Sequence, residues 1–250
     1  MEQTYEACYG ITHDDFLSLQ CGTNEILYVY DVYTYAKQLS TSSTYGCVHI
    51  RQSATYNSTE CCHYVNDTED CGMRYYGSYF VHYCVGINTC TNQVAWNSTL
   101  NVCDQTVYFS ETHYMKAFYN CIPSSNILDI CSSDSTQGNP VYIWNTNYPG
   151  KQGDCSSNSG CSCRASSSSS GMKVNVLDLR LYNYVTGDCQ QQLHITDGST
   201  EFVISCTAYH AFKRTTVYTS TTSQIQLRFD NVFQYGYGNL WIEIESTYFV

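Results

Sequence analysis

The 250-residue chain is short of positive charge, of long apolar runs, of helical periodicity and of catalytic motifs, and each shortage removes a class of function. Eleven Lys+Arg stand against 22 Asp+Glu, a formal net charge of −11, so phosphate backbones are repelled and nucleic acid is not an expected partner. No window reaches the roughly 18 uninterrupted apolar residues of a membrane-crossing helix. The first residues, MEQTYEACYG, have no basic start followed by an apolar core. The expectation is a mature ectodomain whose signal has been removed, with Met1 added for expression and a trimmed anchor as its one route to a membrane.

Catalytic signatures are equally scarce. The chain has no G-x-S-x-G elbow, H-E-x-x-H helix or G-x-x-x-x-G-K-[ST] loop. Its seven histidines are His13, His49, His63, His82, His113, His194 and His210. Only His13 sits beside carboxylates, Asp14 and Asp15, in a THDD stretch that reads as a solvated acidic turn with no nucleophile. The expectation is a protein that is not an enzyme and uses no cofactor.

What is abundant is cysteine. Sixteen cysteines run from Cys8 to Cys206, far more than reducing cytosol holds as free thiols, and the even count implies about eight disulfides. Zinc needs paired C-x-x-C or C…H-x-H clusters, and neither TECCH nor GCSCR has a matching partner. Paired cysteines also leave no thiolate for catalysis. Sequons at Asn57, Asn66 and Asn97 agree with a secreted, glycosylated protein. The 25 tyrosines offer flat apolar faces with polar tips, suited to sugar and protein contacts and to strands of a small disulfide-rich sheet.

Alternating runs predict strands at EILYVYDVYTY (25–35), YGSYFVHYC (76–84), MKVNVLDLRLYNY (172–184), QLHITDG (192–198), IQLRFDNVF (225–233) and LWIEIES (240–246). In MKVNVLDLRL, Val174, Val176, Leu177, Leu179 and Leu181 mostly alternate with polar residues and mark a core face, as in a β-sandwich. SETHYMKAFYNC (110–121) reads as a core strand anchored by Cys121, with His113 and Tyr114 at its accessible end. A boundary is expected at 122–130, where IPSSN supplies turn chemistry. The Ser- and Gly-rich KQGDCSSNSGCSCRASSSSSG (151–171) reads as a mobile loop held by cysteines.

Three stretches carry a family resemblance in the first half: ACYGITHDDFLSLQC, CVGINTC (84–90) and VCDQTVYFSETHYMKAFYNC. In that order they resemble the sea-urchin egg lectin type of galactose- or rhamnose-binding domain, spanning residues 1–122. The resemblance implies bridges Cys8 to Cys47, Cys21 to Cys121, Cys84 to Cys90 and one of Cys61 or Cys62 to Cys103, with Cys71 taking the cysteine left over. Neighbouring Cys61 and Cys62 cannot easily bridge each other, so two partners are sensible. The family's sugar pocket maps onto Tyr9, Tyr33, Asn101, His113 and Tyr114. There the family's first glutamate is replaced by Tyr9, its Tyr-Gly-Arg by Tyr33, Thr34 and Tyr35, its aspartate by Asn101 and its lysine by His113. Both carboxylates are gone, and each hydrogen bond to a charged group is worth roughly 1.5 to 3 kcal/mol. The five residues are the implied lining of a pocket for a different sugar.

In the second half, WNTNYPG, MKVNVLDLRL, LHITDG and IQLRFDN followed by GYGNLWIEIE resemble a CUB domain spanning 123–250, with Cys189 and Cys206 as its second bridge. The calcium positions of that family fall at Tyr182, Gln191 and Asn231 beside Asp230, too few carboxylates for Ca²⁺, so no metal is expected. Asp197 is expected to stabilise a turn. Cys131, Cys155, Cys161 and Cys163 exceed the single bridge expected there, and their pairing stays open.

The expected fold is therefore mainly β with some α in the first domain: a disulfide-rich lectin-like α/β domain followed by a CUB-like β-sandwich. The expected function is recognition by a secreted protein, or one on the extracellular face of the plasma membrane. It binds carbohydrate through the diverged lectin-like domain or, alternatively, an extracellular protein as a receptor or adhesion ectodomain that has lost sugar binding. A structural matrix role lacks the repeats such proteins show.

Overall fold

The structure, a computed structural model, describes residues 2–9, 16–40, 47, 61–62, 70–75, 78–150, 161–168, 171–181, 189, 191–206, 209–210, 212–231 and 238–246. Asn57, Asn66, His13, Asp14, Asp15, His49, His63, Cys155 and Tyr182 lie outside the described residues. The chain divides into two compact units, Met1–Ile122 and Pro123–Val250. It is mainly β, and no helix among the described residues is long and apolar enough to cross a membrane.

The first unit contains strands β1 (Glu2–Cys8), β2 (Phe16–Gln20), β3 (Glu25–Ala36), β4 (Cys71–Arg74), β5 (Thr89–Gln93) and β6 (Tyr114–Pro123), with helix α1 (Ser78–Cys84). Four strands form a sheet in the order β1-β6-β3-β4, and β2 pairs with β5. One sheet face is apolar and buried, with Leu27, Val29, Val32, Ala36, Met115 and Ala117 at 2 % exposure or less. Each fully buried aliphatic side chain contributes about 1.5–3 kcal/mol.

Helix α1 corrects the expectation of a strand at 76–84. Its aromatic and β-branched residues suit a strand. In the fold, however, Phe80 and Cys84 are buried, and they stand four residues apart, the spacing of one helical face. The helix packs on β3 and β5, and the Cys84–Cys90 bridge closes its end.

The second unit is a two-sheet β-sandwich. Its strands are β7 (Ile127–Asp129), β8 (Val141–Trp144), β9 (Cys161–Ser166), β10 (Met172–Arg180), β11 (Gln191–Asp197), β12 (Thr200–Ile204), β13 (Tyr209–His210), β14 (Thr215–Thr219), β15 (Gln224–Asn231) and β16 (Asn239–Ser246). One sheet runs β13-β10-β16-β8-β7 with β14 also on β10, and the other β12-β11-β15-β9. Val174, Val176, Leu179, Leu240, Ile242 and Ile244 of the first meet Leu193, Ile195, Ile225, Leu227 and Phe229 of the second in one core. The register of β10 on β16 shifts between Val176 and Asp178, which places Leu177 at the irregularity. A bulge there explains why Val176 and Leu177, adjacent in sequence, are both buried.

The serine-rich stretch is only partly loop: Cys161–Ser166 pairs with β15 as β9. Cys161, Cys163 and Ala165 alternate inward with outward Ser162, Arg164 and Ser166, an amphipathic pattern written in residues too small and polar to read as a strand. Gly238, at φ +106°, leads into β16; a Cβ there would stand 2.2 Å from Gln191 Oε1 and 2.8 Å from the Arg180 carbonyl.

Seven disulfides join described residues: Cys8–Cys62, Cys21–Cys121, Cys47–Cys61, Cys71–Cys103, Cys84–Cys90, Cys131–Cys161 and Cys189–Cys206. Such a set belongs to an oxidising, extracellular-type compartment. The expected Cys8–Cys47 bridge is replaced by Cys8–Cys62 and Cys47–Cys61, and Cys103 takes Cys71 rather than Cys61 or Cys62. Cys61 and Cys62 do go to two partners, as adjacent residues must when their Cβ vectors diverge. Cys163 is the one free cysteine among the described residues, and burial pushes its thiol up to about 12.

Candidate functional site

The five expected pocket residues do not line one depression. His113 and Tyr114 are 0 % and 1 % exposed, not at an accessible strand end. Asn101 is exposed on the turn that leads into Cys103. Tyr9 is half-buried, donating its backbone N–H to the His113 carbonyl at 2.9 Å and meeting Trp96 edge-on at 6.4 Å. Tyr33 is half-buried on β3.

Different neighbours explain the separation: His113 immediately precedes β6 and Tyr114 is its first residue. The His113 ring packs edge-on against Phe109 at 4.8 Å, and its Nδ1 accepts the Lys37 N–H at 3.3 Å. Tyr114 stacks on Tyr35 with ring centroids 5.0 Å apart and an interplanar angle of 12°. The Tyr114 hydroxyl donates to Asp70 Oδ2 at 2.8 Å, and Lys37 Nζ stands 2.8 Å from the same oxygen. Lys37 also lies 5.2 Å above the Tyr114 ring. Burial, then the Asp70 charge, raises the Tyr114 hydroxyl above the usual phenol range, so it stays a donor. The cluster is buried and internally paired, the pattern of a structural anchor.

Tyr114 is the inner end of a row of rings on the outer face of the sheet. From it the row passes through Tyr35, Tyr33, Phe118, Tyr30 and Tyr28, with successive centroids 5.0, 6.1, 5.9, 6.4 and 6.1 Å apart. Phe118 touches both Tyr30 and Tyr33, three residues apart, so the side-chain alternation of β3 slips by one at Asp31 or Val32 and keeps all four tyrosines on one face. Tyr30, Tyr33 and Phe118 are half-buried, while Tyr28, Tyr35 and Tyr114 are buried. The Cys8–Cys62 bridge packs over the Tyr35–Tyr114 end.

Charged groups edge this face. Glu2 Oε1 accepts the Tyr30 hydroxyl at 2.5 Å, Glu6 pairs with Lys116 at 3.0 Å, and Asp31 with Arg74 at 2.5 Å. Lys116 Nζ also sits 5.4 Å over the Phe118 ring. Burial, followed by the Glu2 hydrogen bond, raises the Tyr30 hydroxyl above its ordinary range. Ring planes vary along the row, from 12° between Tyr35 and Tyr114 to 82° between Tyr33 and Phe118. The row is therefore a corrugated apolar strip and not a flat stacking platform. The alternation Tyr114, Lys116, Phe118 on β6 was readable in the sequence; Asp70 was not, because its partners lie 33 and 44 residues away.

Gly72 makes room for this row. It lies opposite Tyr35 in the β3–β4 pair, and a Cβ there would stand 2.5 Å from Tyr35 Cε1. Gly72→Ala is expected to push the Tyr35 ring off Tyr114 and cost about 1–3 kcal/mol. Thermal unfolding, with the near-UV tyrosine signal as a second readout, checks this.

Elsewhere, Asn97 is half-buried with its Nδ2 3.4 Å from Thr34 Oγ1, and Thr99 of the same sequon is buried with its hydroxyl on the Phe109 carbonyl at 2.7 Å. Asp197 accepts from the Thr221 N–H at 2.9 Å, the Tyr218 hydroxyl at 3.2 Å and the Thr222 hydroxyl, so its carboxyl lies below its usual range, chiefly through Thr222. Of the residues at the family's calcium positions, Gln191 is buried, and Asp230 is taken up by Arg228 at 3.0 Å and His194 at 3.1 Å. Cys21, Glu25 and Cys121 stand close enough to share a metal, but the two sulfurs form a disulfide and Glu25 accepts the Gly22 N–H at 2.8 Å.

No family model and no curated protein matches this chain. Among solved structures, it is similar to the CUB1-EGF-CUB2 domain of human MASP-1/3, at 9 % identity and a TM-score of 0.38, covering 99 % of this chain and 93 % of that one. It is also similar to the mosquito-larvicidal Cry4Aa toxin from Bacillus thuringiensis, at 9 % identity and a TM-score of 0.22, covering 92 % of this chain and 44 % of that one. Likenesses with TM-scores this low assign neither family nor function.

Proposed function

We propose that this is an extracellular recognition protein without enzymatic activity whose first unit binds a partner protein on the aromatic face of its sheet. The observation that carries the reading is the strip Tyr30, Phe118 and Tyr33, half-exposed side by side and edged by Lys116 and Arg74. Tyrosine, phenylalanine and arginine are the residues enriched at protein interfaces, where rigid rings contribute area at low entropic cost and a few anchors dominate the energy. A sugar reading is less well supported, because two of the five implied pocket residues are sealed in the core and the exposed rings change plane along the row.

The test is capture of extracellular proteins on the immobilised full chain, against Tyr33→Ala and Phe118→Ala. Each variant is expected to lose about tenfold or more in affinity for the identified partner, the effect of removing an interface anchor. Capture should be indifferent to competing monosaccharides. Unchanged capture by both variants would overturn the site. Glycan-array binding that disappears in Tyr33→Ala would replace the protein partner with a sugar.

A further inference from the structure

We infer that the partner adds an extended segment to the edge of β1 that no described strand pairs with, and that this segment carries two basic side chains four residues apart. This deepens the reading just given by naming the form and charge of the partner at that face. Strand β1 is an edge strand, paired among the described residues with β6 alone. The pairing is unbroken from Glu2↔Asn120 to Cys8↔Tyr114, and the Tyr9 N–H donates to the His113 carbonyl one step further. Hydrogen-bonded and non-bonded pairs alternate in an antiparallel ladder. Tyr9, Ala7, Tyr5 and Gln3 therefore turn their backbone groups toward β6, while Glu6, Thr4 and Glu2 turn theirs outward. That outward row is a template for another strand.

The residues with outward backbone groups have their side chains on the aromatic face, because their partners Lys116 and Phe118 lie there. Glu2 and Glu6 thus mark the outer edge of that face with two carboxylates, which take up the Tyr30 hydroxyl and the Lys116 ammonium, and a carboxylate can accept from more than one donor. A strand laid beside β1 would put its own side chains opposite Glu2, Thr4 and Glu6. Basic residues satisfy the two outer positions and a β-branched one suits Thr4, since directly opposed cross-strand pairs set the energetics of a sheet. The formal net charge of −11 favours the same basic partner at longer range. Tyr5, 40 % exposed on the opposite face, offers an apolar neighbour to the residues between.

The probe is a labelled nine-residue peptide built around Lys-Val-Thr-Val-Lys, titrated into the full chain by fluorescence anisotropy. Three controls accompany it: the same peptide with glutamates for lysines, a copy N-methylated at alternate residues, and the protein variant Thr4→Pro. Proline at position 4 removes an outward N–H while leaving the bonds from β1 to β6 intact, so the sheet should persist in circular dichroism. Thr4→Pro, N-methylation and charge reversal are each expected to weaken binding about tenfold or more, and added salt should weaken the lysine peptide further. Equal binding by the N-methylated peptide or by Thr4→Pro, or no binding of the lysine peptide, would overturn the edge inference. The aromatic-face reading falls separately, only if Tyr33→Ala and Phe118→Ala leave partner capture intact.

Discussion

Replacing Cys21 and Cys121 together by alanine is expected to destabilise the first unit by about 4–5 kcal/mol, while replacing Cys84 and Cys90 costs about 2 kcal/mol. The two bridges span 100 and 6 residues. Constraining the unfolded chain is worth more for the longer loop, because closure entropy grows with the logarithm of its length. The longer bridge also joins the end of β2's segment to β6, the strand that β1 and β3 both pair with. Total stabilities of domains this size are about 5–15 kcal/mol, so losing Cys21–Cys121 removes a large share. Hydrogen exchange read on peptides from Glu25–Ala36 and Tyr114–Pro123 in the full chain separates the first unit from the second. Equal losses for the two double variants would show that native-state packing around the sulfurs, not chain entropy, sets their value.

The second unit was legible in the sequence because its core strands obey a two-residue period with one buried face. Leu193 and Ile195 of QLHITDG, and Leu227 and Phe229 of IQLRFDNVF, point inward as that period requires. The period failed where composition hid it, as in the serine-rich β9, or where aromatic residues imitated it, as in α1. Disulfide pairing was legible for Cys21–Cys121, Cys84–Cys90 and Cys189–Cys206. It was not legible around Cys61 and Cys62, since one position along a chain reverses the direction of a side chain and exchanges the partners of adjacent cysteines.

The same one-residue sensitivity decides the site. Mapping a pocket onto His113 and Tyr114 treats neighbours as sharing a surface, whereas His113, just before β6, packs on Phe109 and Tyr114, its first residue, stacks on Tyr35. Tyr33 alone of the five belongs to the exposed part of the aromatic strip. Of its neighbours there, Tyr30 shares its strand, but Phe118 comes from β6, which meets β3 only through sheet order, and no local pattern records that.

Asp70→Ala is expected to cost the first unit about 3–5 kcal/mol, the range for deleting one member of a buried ion pair. Lys37 and Asp70 are 2 % and 3 % exposed at the side chain, with Nζ and Oδ2 2.8 Å apart. Without the carboxylate, the Lys37 ammonium loses its counter-charge and the Tyr114 hydroxyl its acceptor, both in a space walled by the Tyr35 ring and closed off from water. Asp70→Asn keeps an acceptor for Tyr114 but not the charge, so it should fall between wild type and Asp70→Ala. Combining Asp70→Leu with Lys37→Met and Tyr114→Phe removes every polar group that the pair leaves behind, and should recover most of the loss, because well-packed apolar replacements of buried pairs are often neutral. Denaturant unfolding of the four chains, followed by tyrosine near-UV signal, gives the ranking. A loss under about 1 kcal/mol for Asp70→Ala would mean that the pair is solvated in the native protein, since exposed pairs are worth no more than that. In that case Tyr114 could reach solvent after all, and the sealed end of the aromatic row would have to be redrawn as part of the binding face.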